Sequence, residues 1–212
     1  GVLGDVEDPP ADETTECNPT NIYERTKLEG EREALAYGRR TNFPVVVMRP
    51  AWVYGSRDPR TSKLMRTISK GSFFFFGNAR NMRHPVYISD AVKGLELCAS
   101  AEGVNGEVFI IAGEHALPVA ELVDVMSREF GVRSPKLHLP IALGLLGGYS
   151  LEVMFKLIGR QPPFSRRSVD FFLKHNAYDI AKAKRMLGFQ PQVDLQAGVQ
   201  KTIQWYQQKE QK

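Results

Sequence analysis

The sequence is poor in cysteine: Cys17 and Cys98 are its two, and neither sits in a CxxC or Cys/His ligand spacing. That argues against a disulfide framework or a zinc site and fits a reducing compartment. Histidine is scarce as well. His84, His115, His138 and His175 have no cysteine or carboxylate partner at ligand spacing, so no metal is expected. Charge of one sign is never concentrated: the net charge is +4 and no run of five like charges occurs. No nucleic-acid partner is indicated, and a basic pocket for an anionic small molecule explains the balance as well. A long apolar run is also missing. The greasiest stretch, residues 139–158, is interrupted by Glu152 and Lys156 and contains Gly144, Gly147 and Gly148. No membrane-spanning helix is expected from it, while a helix lying on a surface stays open. No signal-peptide pattern is visible, and a cytoplasmic location is the expectation.

What is present is ordinary globular material, 42% hydrophobic and 25% charged, in a length that suits one large domain or two small ones. The pattern alternates between helix and strand. Asn18-Pro19 reads as a helix cap with proline at the first helical position, opening a helix to about Arg40. Residues 45–48, VVVM, form a β-branched run of the kind buried on both faces of a parallel sheet. Helices are expected over 62–70, stopped by Gly71, over the residues to about Ser100 behind a Ser89-Asp90 cap, over 118–130, 179–187 and 195–208, and over 139–158 with a break at the glycines. Strands are expected over 73–76, 85–88 and 108–111. Val119, Leu122, Val123, Met126 and Phe130 define one apolar helix side. The class is α/β, with helix richer in the later part. The acidic residues Asp5, Glu7, Asp8, Asp12 and Glu13 read as a solvated loop.

One spacing carries chemistry, and it occurs twice. Tyr23 and Lys27 are four residues apart, and so are Tyr178 and Lys182. On a helix such residues stack on one face. A free tyrosine has a pKa near 10 and is a poor base at neutrality. Favouring the phenolate by about 3 units takes roughly 4 kcal/mol, much of which a fixed neighbouring cation supplies. A tyrosine so tuned takes a proton from an alcohol while a cofactor takes the hydride. Context favours the first copy. Tyr23 lies in the first turns of a capped helix, Lys27, Gly30 and Ala34 continue its face, and the small residues there suit close packing on a sheet.

After that helix come the apolar strand and Arg49-Pro50-Ala51-Trp52-Val53-Tyr54-Gly55. YxxxK, then an apolar strand, then RPxxVYG resembles the extended short-chain dehydrogenase/reductase family. The resemblance continues through Arg83-His84-Pro85-Val86-Tyr87-Ile88-Ser89-Asp90, similar to the family's RxxxYVxD. It runs on through residues 106–113, Leu187-Gly188-Phe189-Gln190-Pro191 and Trp205. The family includes NAD-dependent sugar epimerases and dehydratases and relatives acting on 3β-hydroxysteroids. The resemblance implies a Rossmann-type doubly wound parallel sheet plus a smaller, helix-rich substrate domain. It implies Tyr23 as catalytic acid/base, Lys27 on the nicotinamide ribose, and Pro50, Ala51, Trp52 and Val53 as the nicotinamide wall. Arg83 falls where nucleotide-sugar members grip the diphosphate, a task suited to its bidentate fork. The second copy matches the entry to the family's C-terminal helices, making Asp179 a helix cap and Lys182 a surface residue. Dimerisation through the Tyr23 helix is the family habit.

The family's glycine-rich cofactor loop and its substrate-binding serine are not found in the sequence, and residues 144–148 are no substitute because no strand precedes them. The opening GVLGD reads as a strand end. The expectation is a C-terminal portion that binds NAD poorly alone: residues 1–55 from the dinucleotide domain, 56–212 mainly substrate domain, with 84–113 partly returning to the sheet. The expected activity is that of an NAD(P)-dependent oxidoreductase. A nucleotide-linked sugar is the preferred substrate and epimerase or dehydratase chemistry the preferred reaction. The alternatives are a hydroxysteroid or other lipophilic-alcohol dehydrogenase and a non-catalytic NAD(P)-binding protein. The choice between NAD and NADP is not encoded in these residues.

Overall fold

The structure is a computed structural model that describes residues 1–160, 162 and 164–210. Helix α1 (Ile22–Thr41) leads into β1 (Val47–Pro50) and β2 (Trp52–Tyr54). Next come α2 (Pro59–Ser69), β3 (Phe75–Phe76), β4 (Met82–Arg83), β5 (Pro85–Tyr87) and α3 (Ile88–Ser100). Then follow β6 (Val108–Ile111), β7 (Leu117–Pro118), α4 (Val119–Glu129), β8 (His138–Leu139) and α5 (Ile141–Leu157). Three helices close the chain: α6 (Arg166–Leu173), α7 (Ala181–Leu187) and α8 (Leu195–Glu210).

Residues 47–54 organise the first half. As β1 they pair in parallel with β6, in the register Val47↔Val108 to Pro50↔Ile111. As β2 they pair in parallel with β5, from Trp52↔Pro85 to Tyr54↔Tyr87. The exchange happens at one peptide: Ala51 N donates to Ile111 O at 2.9 Å, and Trp52 N donates to His84 O at 3.2 Å. Parallel partners require crossovers, and α3 lies on the way from β5 to β6. Its Gly94 makes room, since a Cβ there would come within 2.8 Å of Ile111.

Two hydrophobic clusters result. One gathers Leu28, Val86, Phe109, Ile110 and Ile111 with Ala183, Leu187 and Phe189 from α7 and the segment after it. The other joins Met65, Ile68, Phe75 and Phe76 to the α4 stripe and to Val199 and Ile203 of α8. In α4, Val119, Leu122, Val123 and Met126 are fully buried, as their spacing predicts.

Several expectations are corrected. Helix α1 is capped by Asn21, whose side chain accepts from Glu24 N at 3.0 Å, and not by Asn18. Glu24 reaches back to Thr20 N and Oγ1, at 2.8 and 2.9 Å, so the first turn is fixed two residues after Pro19. Residues 45–49 are half-buried, because β1 has β6 as its one strand partner among the described residues. Glu13 and Asp5 are not merely solvated. Glu13 Oε1 accepts from Ile110 N at 2.8 Å and Asp5 Oδ1 from His175 N at 2.6 Å. Asp90 does not cap α3; it is buried inside the first turn and accepts from Gln192 N and Val193 N at 3.0 and 2.9 Å. Nor does α5 break at its glycines. It runs unbroken because Gly144 faces the Phe76 ring and Gly148 the backbone of Ser165 and Arg166.

The close approach of α1 to the strand region depends on Gly38, whose Cβ would lie 2.9 Å from Val45 and 3.0 Å from Phe43 O. Gly30 and Ala34, expected to serve that purpose, are exposed. Adding a methyl group is therefore expected to act oppositely at two helical glycines. Gly30→Ala meets nothing within 4 Å and should stabilise by about 0.5–1 kcal/mol. At Gly148 a Cβ would lie 2.6 Å from Arg166 N, so Gly148→Ala should destabilise by about 1–3 kcal/mol. Urea midpoints of the two variants against the parent decide it.

Candidate active site

Tyr23 and Lys27 sit together on the outward face of α1. Tyr23 is 54% exposed, and the Lys27 Nζ lies 5.5 Å from the centroid of its ring. Lys27 makes no ion pair among the described residues. An exposed ammonium with its donors open and a phenol at its side suit a polyhydroxylated or phosphorylated ligand and a proton transfer beside it.

The second tyrosine pair is built differently. Tyr178 precedes α7 and is not helical, so the spacing does not put it on a face with Lys182. Its ring stacks on His84 at 6.1 Å, and burial pushes its phenol up to about 12. Lys182 is engaged elsewhere, donating to Val108 O at 2.8 Å and pairing with Glu107 at 2.7 Å. The N-cap of α7 is Ile180 and not Asp179, which lies one residue earlier and accepts from Ala181 N at 2.6 Å; Lys182 is half-buried and not a plain surface residue.

Pro50, Ala51, Trp52 and Val53 lie at the exchange from β1 to β2. Pro50 is exposed and the other three are half-buried. Trp52 meets Phe171 edge-on at 5.9 Å. A crevice of about 10 Å³ borders Pro50, lined also by Leu3, Arg49, Ile110 and Tyr178, and has room for one water at most. A larger open groove, about 480 Å³, lies between residues 71–74 and 132–137, lined by none of the residues named for catalysis. Arg49 joins the α1 side to this region. Its Nε and Nη2 donate to the two carboxylate oxygens of Glu31 at 3.0 and 2.6 Å.

Arg83 is buried and already occupied. Its Nη2 donates to Asp170 O at 2.8 Å and its Nε to Phe171 O at 3.3 Å. These carbonyls belong to the last turn of α6, where the helix dipole favours a cation. The guanidinium also lies 5.0 Å from the Phe171 ring centroid, and burial pulls its pKa down to about 10. The same end of α6 reaches the α1 start. Lys174 Nζ donates to Thr20 Oγ1 at 2.6 Å and pairs with Glu24 at 3.4 Å. Burial alone would raise the Glu24 carboxyl, but the Thr20 hydrogen bonds and Lys174 hold it below its ordinary value. Residues 170–174 thus connect the helix of Tyr23 with Arg83.

His84 and Glu24 were not singled out as site residues in the sequence. His84 Nε2 lies 2.8 Å from Gly113 O, and Tyr178 N donates to its Nδ1 at 3.1 Å. An acceptor at Nδ1 and a donor at Nε2 specify one neutral tautomer. The signal for His84 was its place in the Arg83–Asp90 motif. For Glu24 it was the capping position three residues after Asn21.

The α/β core with its parallel pairings and helix-rich partner is a Rossmann-type arrangement of the extended short-chain dehydrogenase/reductase kind. Residues 1–112 match the NAD dependent epimerase/dehydratase family, and the chain belongs to it. Among curated proteins, the N-acetyl-alpha-D-glucosaminyl-diphospho-ditrans,octacis-undecaprenol 4-epimerase of Escherichia coli O157:H7 is 24% identical over 197 residues. That match covers 92% of this chain and 59% of the epimerase. The sterol-4-alpha-carboxylate 3-dehydrogenase, decarboxylating, of Mus musculus is 27% identical, over 88% of this chain and 54% of the enzyme. Among solved structures, the UDP-glucose 4-epimerase of Thermotoga maritima with UDP-glucose superposes with a TM-score of 0.76 at 22% identity. It covers 99% of this chain and 62% of that one, a likeness of fold. The chain spans less than two thirds of each of these proteins.

Burial lowers the pKa of His84 below its usual 6.5, the hydrogen bond to Gly113 opposing this only in part. The unfolded chain therefore binds a proton that the folded one refuses. Stability should be full above about pH 6.5 and fall as pH drops through that value towards the folded pKa. Urea midpoints at pH 7.5 and 5.5 are expected to separate, and His84→Gln should narrow the gap while lowering both.

Proposed function

We propose that the protein carrying this chain is an NAD(P)-dependent oxidoreductase in which Tyr23 takes the proton from a substrate hydroxyl. The observation that supports it is the Lys27 ammonium beside the Tyr23 ring on an exposed helix face, whereas the twin pair is buried and engaged. Bound nicotinamide supplies the hydride acceptor. Lys27 holds the ribose hydroxyls. The segment of Pro50, Ala51, Trp52 and Val53 walls the ring and excludes water. In the reverse direction Tyr23 returns the proton to a carbonyl oxygen.

For the substrate we favour a lipophilic ring alcohol. The observation that supports it is that Arg83 Nε and Nη2 are committed to α6 carbonyls and its guanidinium to the Phe171 face. The relative named for a sterol carboxylate agrees with a lipophilic substrate. The second reading keeps the nucleotide-linked sugar, supported by the structural likeness to a UDP-glucose epimerase. In that reading Arg83 exchanges two neutral carbonyls for a diphosphate, a stronger partner.

In the full-length protein, Tyr23→Phe should lower kcat by about 10²- to 10⁴-fold, with NAD binding by fluorescence titration little changed. Tyr178→Phe should leave kcat within a few-fold. Equal losses in the two variants would refute the assignment of Tyr23. Calorimetry with UDP separates the substrate readings. No nucleotide binding by the parent supports the lipophilic alcohol. Binding that Arg83→Ala weakens by about 10- to 100-fold supports the nucleotide sugar.

A further inference from the structure

Helix α5 is built inside out. The residues that face the protein include Gly144 and Gly148, which lie against the Phe76 ring and the α6 entry. The large apolar residues face away: Leu143, Leu146, Tyr149, Val153, Met154 and Leu157 are all exposed, Leu157 to 84%. At 100° per residue these six fall within about 140° of one another, so they form one continuous ridge along the helix. The ridge is convex and carries no charge.

The charges beside it have one sign. Lys156 and Arg160 are exposed and make no ion pair among the described residues. The one acid of α5, Glu152, is neutralised: its carboxylate accepts from Arg166 N and Nε, each at 2.9 Å. Arg166 in turn lies over the Tyr149 ring, 5.2 Å from its centroid. No helix among the described residues is long and apolar enough to cross a membrane, so the ridge suits lying on a bilayer and not spanning one.

We propose that the α5 ridge docks the protein onto an anionic lipid surface, with the apolar side chains entering the headgroup–acyl boundary and Lys156 and Arg160 facing the lipid phosphates. A soft phase accepts a convex apolar ridge without a matching groove. A cationic rim complements anionic headgroups. A second copy of this chain would set an identical rim of like charge against it. The inference is independent of the chemistry assigned to Tyr23.

The test is co-sedimentation of the full-length protein with vesicles of phosphatidylcholine alone or of phosphatidylcholine with phosphatidylserine at about 3:1. Partitioning is expected to be on the order of tenfold stronger on the anionic vesicles. Leu146→Glu with Met154→Glu should lower it at least tenfold on both. Lys156→Glu with Arg160→Glu should remove the preference for phosphatidylserine and leave the weaker binding to phosphatidylcholine. Wild-type protein that stays in the supernatant with both vesicles overturns the proposal, as does a Leu146→Glu/Met154→Glu variant that sediments like the parent. The variant's Tm and size-exclusion elution distinguish other occupants. A Tm lowered by many degrees assigns the ridge to another segment of the same polypeptide, and loss of a dimer assigns it to a second copy. Either result refutes lipid docking.

Discussion

The Arg49–Glu31 pair is the constraint on which the candidate site depends. Both side chains are largely withdrawn from water, and the contact uses two nitrogens on two oxygens. Taking both charges out of water is costly, and the fork geometry offsets much of that. Removing one partner would leave a buried charge alone, a change of about 3–5 kcal/mol in comparable settings. The pair fixes how α1 lies on β1, and α1 carries Tyr23 and Lys27. Arg49 is also the residue before Pro50, where the chain passes from one strand partner to the other. This ion pair, with Gly38 against Val45, therefore helps set the distance between the candidate Tyr23–Lys27 pair and the segment proposed to wall the cofactor. Arg49 Nη1 is buried without a hydrogen-bond partner, so two of the three guanidinium nitrogens provide the whole of this anchorage.

A second set of contacts holds the same region from the other side. Residues 170–178 accept Arg83 on two carbonyls, place Lys174 on Glu24 and Thr20, and bring Tyr178 N to His84. Asn81 adds two donations to Phe171 O and Lys174 O, at 2.9 and 3.0 Å. Most of these bonds have backbone on one side. Such contacts fix position closely without requiring a particular residue at the backbone partner, which is why residues 170–177 carry no motif that the sequence alone would single out.

The local features of the fold were legible because they are local. The α4 stripe, the β6 run and the stop of α2 at Gly71 follow from spacing and from turn chemistry within a few residues. The Tyr23–Lys27 pair was legible for the same reason: both residues sit on one helix, and the helix has a cap. What could not be read is non-local. Arg83 meets residues 87 and 88 positions away, and a loop arginine looks the same whether its partner is a phosphate or a helix end. Gly30 and Gly38 are both small residues in α1, and only the position of Val45 and Phe43 separates the one that packs from the one that does not. The glycines of α5 suggested a break because propensity penalises them by roughly 1 kcal/mol each. The packing they allow against Phe76 and the α6 entry overrides that penalty.

The two Tyr–Lys pairs show why spacing alone does not specify chemistry. Tyr178 has burial and a histidine stack, and Lys182 has a carboxylate and a carbonyl; each group is satisfied within the fold. A satisfied, buried phenol holds its proton more tightly, which is the direction of its shift to about 12. A base needs the opposite: access to the substrate and a cation whose donors are open. Lys27 meets that condition because α1 turns it outward and the two acids one turn away from it face elsewhere, Glu31 to Arg49 and Glu24 to Lys174. The carboxylates that would have neutralised Lys27 are held by other cations, and those same two ion pairs fix the helix in place. Structural pairing on one side of α1 is thus what leaves the Tyr23–Lys27 side open to solvent.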